Sequence, residues 1–499
     1  MNLFSKKTAI ILFKKNKDMS LKDKAVSGII WTSFEKFGTY FIQLGIGIII
    51  ARILDPSDYG IIALTTIFMS VANILLDSGF GNALIQNKER NNIDYSTAFY
   101  FNLIVGIALY TIIFLSAPYL ALFYNNPLLC SVTRVIALSL ILNSLTISQT
   151  ARLTAELKFK ELSYIAITTQ ISTGIIGLML AYNGAGVWAL VGQNISSCFL
   201  RVIFIQYYTK WKPMPIFSTK SFKKMFSFGW KLLCSGLINA VYENIYSLVI
   251  GKIYNAKQAG YYSQGDKLAI LPSTTFINVV LKVAFPILVE VQNDRDKLKA
   301  SFLKFLRIPI FILYPILVLI IIYAKPIIYI LLGEKWLPAA SILQILSFST
   351  FFEPLTTINL SILYAKGRTD LVLKLEFIKK TLAFIILFIS IPFGLWWLCA
   401  GRAFYGLIAY SINCYYSKKI LDFGFWKQTK YNFPIILKSI TMGGICIITT
   451  HYINSLSLKL IIGCFIGILS YTILSHLYKD ESYIDLKQII KNKFKHINF

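Results

Sequence analysis

The chain has 499 residues, of which 56% are hydrophobic and only 15% charged, a balance too apolar for a soluble enzyme of this length and suited to many bilayer spans. Its formal charge of +27 would fit a nucleic-acid binder only if the basic residues gathered on one soluble face; here they are spread between apolar segments, so no nucleic-acid partner is expected. The seven cysteines show no C-x-x-C pair and read as small apolar fillers, and the three histidines, His451, His476 and His496, form no ligand cluster, so no metal site is expected.

In chain order, a basic tail over 1–24 comes first (Lys6, Lys7, Lys14, Lys15, Lys17, Lys22, Lys24). Its apolar run TAIILF, Thr8 to Phe13, is too short for a cleavable signal, and none is expected. Apolar windows of about 20 residues then follow, the length of a spanning helix. They lie at 26–51, 59–79, 96–119, 130–151, 162–182, 186–208, 227–251, 262–289, 306–332, 339–364, 375–391, 395–416, 434–453 and 459–478. A spanning strand is about half that length and alternates, so the windows are helices. The expectation is an all-α integral membrane protein with about 14 transmembrane helices. Six fall in an N-lobe at 25–210 and six in a C-lobe at 227–418, with cytoplasmic linkers at 211–226 and 419–433. Two further helices occupy 434–478, and a basic cytoplasmic tail 479–499.

If the amino terminus is cytoplasmic, the two tails and every second link, such as the one holding Lys210, Lys212, Lys220, Lys223 and Lys224, carry roughly 33 Lys and Arg, against roughly six in the opposite links. Both termini are therefore expected in the cytoplasm. The string ARILDPSDYGII, Ala51 to Ile62, returns about 200 residues later as GKIYNAKQAGYY, Gly251 to Tyr262, with Arg52 on Lys252, Ile53 on Ile253 and Gly60 on Gly260. The same offset lays Glu35, Thr39 and Gln43 on Ser235, Asn239 and Glu243, and each trio has the i, i+4, i+8 spacing of one helical face. Further on, Ser116 to Leu138 resembles Ala324 to Leu346. An even number of helices per repeat gives both halves one orientation, related by a pseudo-twofold axis along the membrane normal. The last two spans have no partner and look appended.

A charge at mid-membrane costs about 2.5 to 3.5 kcal/mol, so each needs a partner, water or a task. The spans hold Glu35, Lys36, Asp77, Arg134, Arg201, Lys231, Glu243, Lys282, Arg307, Glu353 and Arg402. Thr274, Asn278 and Lys282 form a further stripe, with Lys267 about 60 degrees away around the helix. Lys36, Arg201, Lys231, Arg307 and Arg402 lie close enough to span ends to snorkel into the headgroups, whereas Glu243, Glu353 and Lys282 sit deeper. The stripes point to a wet cavity between the halves, richer in cations than anions, whose guest is an anion. Glu353 precedes Pro354, whose missing N–H makes a hinge or a kinked cavity wall there. The sequence holds no G-x-S-x-G elbow, P-loop lysine, paired loop carboxylates or metal signature, so a transporter is expected rather than an enzyme.

Ten strings in order carry a resemblance: ILDPSDYG, DSGFGNALIQ, STAFYFNL, ELKFKELS, GAGVWALV, FSFGWKLL, AGYYSQGDKLAILP, FPILVEVQND, LLGEKWLPA and KGRTDL. Over residues 20–420 the chain resembles the polysaccharide-transporter branch of the multidrug, oligosaccharidyl-lipid and polysaccharide exporter superfamily. Within it, the O-antigen and capsule flippases of the Wzx type are similar, above all the colanic-acid-exporter-like subgroup. The resemblance implies two six-helix lobes around a central cavity that opens alternately to either side. It implies transport of an undecaprenyl-pyrophosphate-linked oligosaccharide repeat unit across the bacterial inner membrane, for O-antigen, capsule or exopolysaccharide. Polysaccharide polymerase and chain-length proteins are the implied partners beside the lipid bilayer, and no cofactor is implied beyond coupling to a proton or sodium gradient. Under this reading Arg134, Lys231, Lys267, Lys282 and Arg307 are the anion contacts of a cationic cavity. Glu35, Glu243 and Glu353 either neutralise those cations or carry coupling protons. A multidrug exporter of the same superfamily, the nearest alternative, should have an acidic cavity. A repeat-unit polymerase, the alternative from another class, needs a sizeable outer loop for its catalytic residues.

Overall fold

The computed structural model describes residues 21–87, 89–480, 482–484 and 487, without the side chains at 21–26, 29–30, 228, 231, 232, 235, 238 and 239. All regular structure among the described residues is helical. By internal contacts the chain forms two compact units: Met1–Leu54 with Leu64–Ile245, and Asp55–Ala63 with Tyr246–Phe499.

The first unit draws on α1 (Leu21–Ile53), α2 (Pro56–Asp77), α3 (Phe80–Gln86), α4 (Asn92–Phe123), α5 (Leu128–Ala155), α6 (Phe159–Tyr182), α7 (Val187–Thr209) and α8 (Thr219–Ile253). Helix starts follow local chemistry. Asn91 accepts a hydrogen bond from the Asp94 N–H and the Asp94 carboxylate accepts one from the Asn91 N–H, a reciprocal cap that satisfies two of the donors a helix start leaves over. The turn between α2 and α3 needs Gly79, which sits at φ 72°, and Gly229 of α8 lies so close to the Ser78 carbonyl that a Cβ there would overlap it.

The second unit draws on the start of α2, the end of α8, and α9 (Ala256–Glu290), α10 (Arg295–Ile322), α11 (Ala324–Leu332), α12 (Pro338–Thr350), α13 (Phe352–Ala365), α14 (Thr369–Ser390), α15 (Leu395–Leu421), α16 (Phe425–Thr450) and α17 (Leu456–Leu477). The two helices that looked appended are built into its core. Tyr323, fully buried, donates its hydroxyl proton to the Cys446 carbonyl of α16, and its ring fills the place where Gly463 of α17 lacks a side chain. Tyr471 of α17 donates to the Phe311 carbonyl of α10. Asn359 and Gln428 exchange side-chain amide hydrogen bonds of 2.8 and 2.9 Å between α13 and α16, so two buried polar groups satisfy each other.

All fourteen apolar windows coincide with helix, as the sequence led one to expect. Ten helical segments among the described residues are long and apolar enough to cross a membrane. The ninth window is divided at Tyr323 and the tenth at Phe351. The second break has a local cause: Pro354 offers no N–H to the Thr350 carbonyl four residues back, so the rod restarts at Phe352. Helix α14, the eleventh window, is not among the ten because Lys374, Glu376, Lys379 and Lys380 interrupt it. The Lys379 side chain is buried and paired with Glu376 one turn earlier, while Leu373 and Phe377 are 71% and 76% exposed. The basic tail expected at 1–24 lies outside the described residues except for its helical last turn, as does most of the tail at 479–499.

Candidate functional site

In the first unit, Arg134 of α5 is half-buried. Its Nε donates to the Phe114 carbonyl of α4 at 3.2 Å, and the guanidinium lies 4.3 Å from the centre of that ring, a cation–π placement. No carboxylate pairs with it among the described residues. Glu35 of α1 is engaged by α6: the Ser163 hydroxyl lies 3.3 Å from its Oε2 and 3.0 Å from the Trp31 carbonyl. Thr39, the next residue of the same stripe, turns its hydroxyl onto its own helix, donating to the Glu35 carbonyl at 2.7 Å. Glu243 of α8 is exposed, and the side chain of Lys231 lies outside the described residues.

In the second unit, Lys267 and Lys282 of α9 are both exposed, and neither is in an ion pair among the described residues. Their neighbour Asp266 turns to α15, where its Oδ1 lies 2.8 Å from Arg402 Nη1. The same guanidinium donates to the Tyr262 hydroxyl and lies 5.4 Å from the Tyr246 ring, which stacks on Tyr262 at 9°. Glu353, on the first turn of α13, has Ser273, Arg402 and Asp266 as its electrostatic neighbours. Helices α9, α13 and α15 thus bring one cation and two carboxyl groups together. Sequence reasoning included Arg402 and Glu353 but missed Asp266, although it stands inside the string AGYYSQGDKLAILP, one turn after Tyr262.

Arg307 of α10 has a different setting from the other candidate cations. Its Nη2 is 3.4 Å from Asp480 Oδ2, just beyond α17, and its guanidinium is 4.9 Å from the Tyr431 ring of α16. Lys438 of α16 also pairs with Asp480, and both of those side chains are nearly fully buried. Burial works against ionisation of the Asp480 carboxyl, but the hydrogen bond and charge of Lys438, joined by the charge of Arg307, hold it below the usual carboxylate range. The charge of Arg307 is therefore engaged in joining α10 and α16 to the segment after α17.

Three strings singled out in the sequence meet in the second unit. A Cβ on Gly60 would overlap the Ala256 carbonyl oxygen, and one on Gly260 would overlap the Pro56 carbonyl oxygen, so the two copies of the repeated string cross backbone to backbone at their matched glycines. The string LLGEKWLPA closes round the crossing. Lys335 lies 3.4 Å from Asp55, its carbonyl accepts from the Tyr261 hydroxyl at 3.2 Å, and Trp336, fully buried, meets Tyr59 and Tyr261 edge to face. No link between described helices is longer than 210–218, so none offers the residues for a catalytic domain.

Residues 49–341, more than half of the chain, match a family described as polysaccharide biosynthesis protein. The teichuronic acid biosynthesis protein TuaB of Bacillus subtilis is 27% identical over 354 residues, 70% of this chain and 73% of that protein. The lipopolysaccharide biosynthesis protein WzxC of Escherichia coli is 26% identical over 377 residues, 74% of this chain and 75% of that protein. Among solved structures, the lipid II flippase MurJ in its inward closed conformation aligns with a TM-score of 0.73 at 16% identity, over 91% of this chain and 99% of that one. At that identity the likeness is one of fold. The family match, the spanning helices and the shared fold together place this multi-pass membrane protein in the polysaccharide biosynthesis protein family.

Proposed function

We propose that the protein moves an oligosaccharide repeat unit linked to undecaprenyl pyrophosphate from the cytoplasmic to the outer leaflet of the bacterial inner membrane, by alternating access. Both termini lie in the cytoplasm, and the flipped unit passes to a polysaccharide polymerase and its chain-length protein. One observation carries the reading: α9, a helix long and apolar enough to span, holds Lys267 and Lys282 exposed and without a carboxylate partner among the described residues. An ammonium group at membrane depth needs water or an anion, and a pyrophosphate that must cross hydrocarbon needs cations along its way. Arg134, held by a carbonyl and a ring and by no carboxylate among the described residues, keeps its charge for the same use. Lys231 belongs to this group by sequence. Arg307, already facing Asp480, contributes field more than direct contact. Glu353, beside Arg402 and Asp266, is the acid best placed to couple transport to protons or sodium; Glu35 and Glu243 are the other two candidates.

A multidrug exporter would have to attract organic cations past these same lysines, which disfavours it. The test of the flippase is the lipid pool of a strain lacking the gene, in which lipid-linked repeat units should accumulate on the cytoplasmic leaflet. Accumulation of single units on the outer leaflet would instead mark a polymerase. In a complemented strain, Lys267→Ala with Lys282→Ala should cut the flipped fraction by roughly tenfold or more, the scale of losing hydrogen bonds to a charged group. Membrane abundance should stay unchanged, and Arg at both positions should restore part of the rate. An equal loss of abundance and rate would remove the two lysines from the path.

A further inference from the structure

The first unit contains a cavity of about 330 Å³ between α2, α3, α5 and α7, to which no role has been given above. Cavities of roughly 300 Å³ and more are the size of small-molecule sites, whereas a single water needs about 30 Å³, so the space is larger than a bare ion requires. The hydrogen bonds on its wall decide what it can hold. Along α5, Thr146 donates to the Asn143 carbonyl at 2.9 Å, and Thr150 and Thr154 each donate at 2.8 Å to the carbonyl of the threonine one turn before. A hydroxyl has one proton, and here each is spent on the helix, which leaves the threonine oxygens as acceptors only. Asn73 donates one Nδ2 proton to the Met69 carbonyl and its Oδ1 accepts one from Asn143, so each of the two amides keeps a second proton. The Asp77 carboxyl adds a further acceptor.

The wall therefore sets the amide donors of Asn73, Asn82 and Asn143 among acceptor oxygens, a mixture that suits hydroxyls, which both donate and accept. Arg201 supplies a donor for the ligand's own oxygens, and Leu76 and Ile147 supply an apolar wall. Polar edge, apolar face and available volume together match a pyranose ring, which has hydroxyls round its rim and C–H groups on its faces. The string DSGFGNALIQ shapes the site. It provides Asp77, and it provides Gly81, where a Cβ would lie 3.1 Å from the Asp77 Oδ1 and would crowd the carboxyl. We propose that this cavity is a sugar subsite that takes a glycan ring of the transported unit, apart from the cations that hold its pyrophosphate. The inference rests on the flippase reading given above.

The test uses the full-length protein in nanodiscs and two probes, undecaprenyl pyrophosphate without sugar and the lipid-linked repeat unit extracted from a strain lacking the gene. Thr146→Val with Thr150→Val keeps the side-chain shape and deletes two acceptors. It should weaken binding of the sugar-bearing lipid by about tenfold and leave the bare lipid unchanged. Asn82→Ala, which removes an exposed lining side chain, should shift the same comparison in the same direction by less, and it serves where the double variant lowers abundance or melting temperature. Equal affinities for both lipids before and after substitution would overturn the subsite, as would an equal loss for both. A sodium-dependent rise in melting temperature that the threonine variant loses would mark a cation site and overturn it too. Wild-type protein that binds neither lipid would sink the flippase reading itself, a result distinct from the other three.

Discussion

A Gly260→Leu variant should lose transport altogether while its single-residue control, Gly45→Ala, transports normally. Both glycines lie inside helices, but a Cβ at Gly45 meets nothing within 4 Å, whereas one at Gly260 would overlap the Pro56 carbonyl oxygen of α2. The obstacle at Gly260 is backbone, which cannot change rotamer, so α2 and α9 have to part. Forcing extra atoms into a packed site costs about 1 to 3 kcal/mol even where side chains can yield. The Asp55–Lys335 pair beside the crossing is largely exposed on the aspartate side and contributes up to about 1 kcal/mol, too little to hold the helices together against that cost. Gly260→Ala should fall between wild type and Gly260→Leu, and Gly60→Leu should reproduce the loss from the other side of the contact. The readout is the flipped fraction of lipid-linked units at matched abundance. Normal transport by Gly260→Leu would show that the two strings do not need to touch.

The second large effect is expected at Asp480. Its carboxylate faces Lys438 and Arg307, and replacing it by Asn leaves the buried Lys438 ammonium without this counter-charge, a change that costs about 3 to 5 kcal/mol when one partner of a buried pair is removed. Asp480→Asn should therefore lower the melting temperature and the abundance of the protein. Asp480→Asn combined with Lys438→Met should recover part of the loss, since the added substitution removes the stranded ammonium. The pH dependence has a definite sign. A carboxyl held below its usual range contributes fully at pH values above that ordinary value and loses its contribution as pH falls through the depressed one. The stability difference between wild type and Asp480→Asn should accordingly be flat near neutral pH and shrink in acid. A difference that grows in acid would contradict the assignment.

Much of the architecture was legible because bilayer spans are written in a linear property, apolar length. The fourteen windows needed no knowledge of which helix neighbours which. The repeated string was legible as a pair, Gly60 with Gly260, but its meaning was not. Alignment showed that the two copies correspond, and only coordinates show that the matched glycines touch and that Lys335 and Trp336 close round them. Charged partners were hidden for the same reason. Arg307 and Arg402 stood out as costly, yet their acids, Asp480 and Asp266, sit far off in sequence, one in a predicted tail and one inside a quoted string. The threonine ladder stands in the sequence at i, i+4, i+8 in Thr146, Thr150 and Thr154, but those residues carry no charge to mark it. Its significance depends on where each hydroxyl proton goes, which hydropathy does not record.

Helix α14 has a consequence for how the chain is made. Beyond Asp370 in the first turn, Lys374, Glu376, Lys379 and Lys380 cost about 2.5 to 3.5 kcal/mol each at full depth, and a leucine or phenylalanine returns only about 0.3 to 0.6. The pairing of Lys379 with Glu376 offsets part of that sum but not all of it. Left to partition by itself on leaving the ribosome, this segment would stay at the headgroups. It has to wait for α15, the helix it packs against, and go in as one half of a helical hairpin. A nascent chain arrested near residue 390, before α15 is made, is therefore expected to keep α14 at the headgroups until translation resumes.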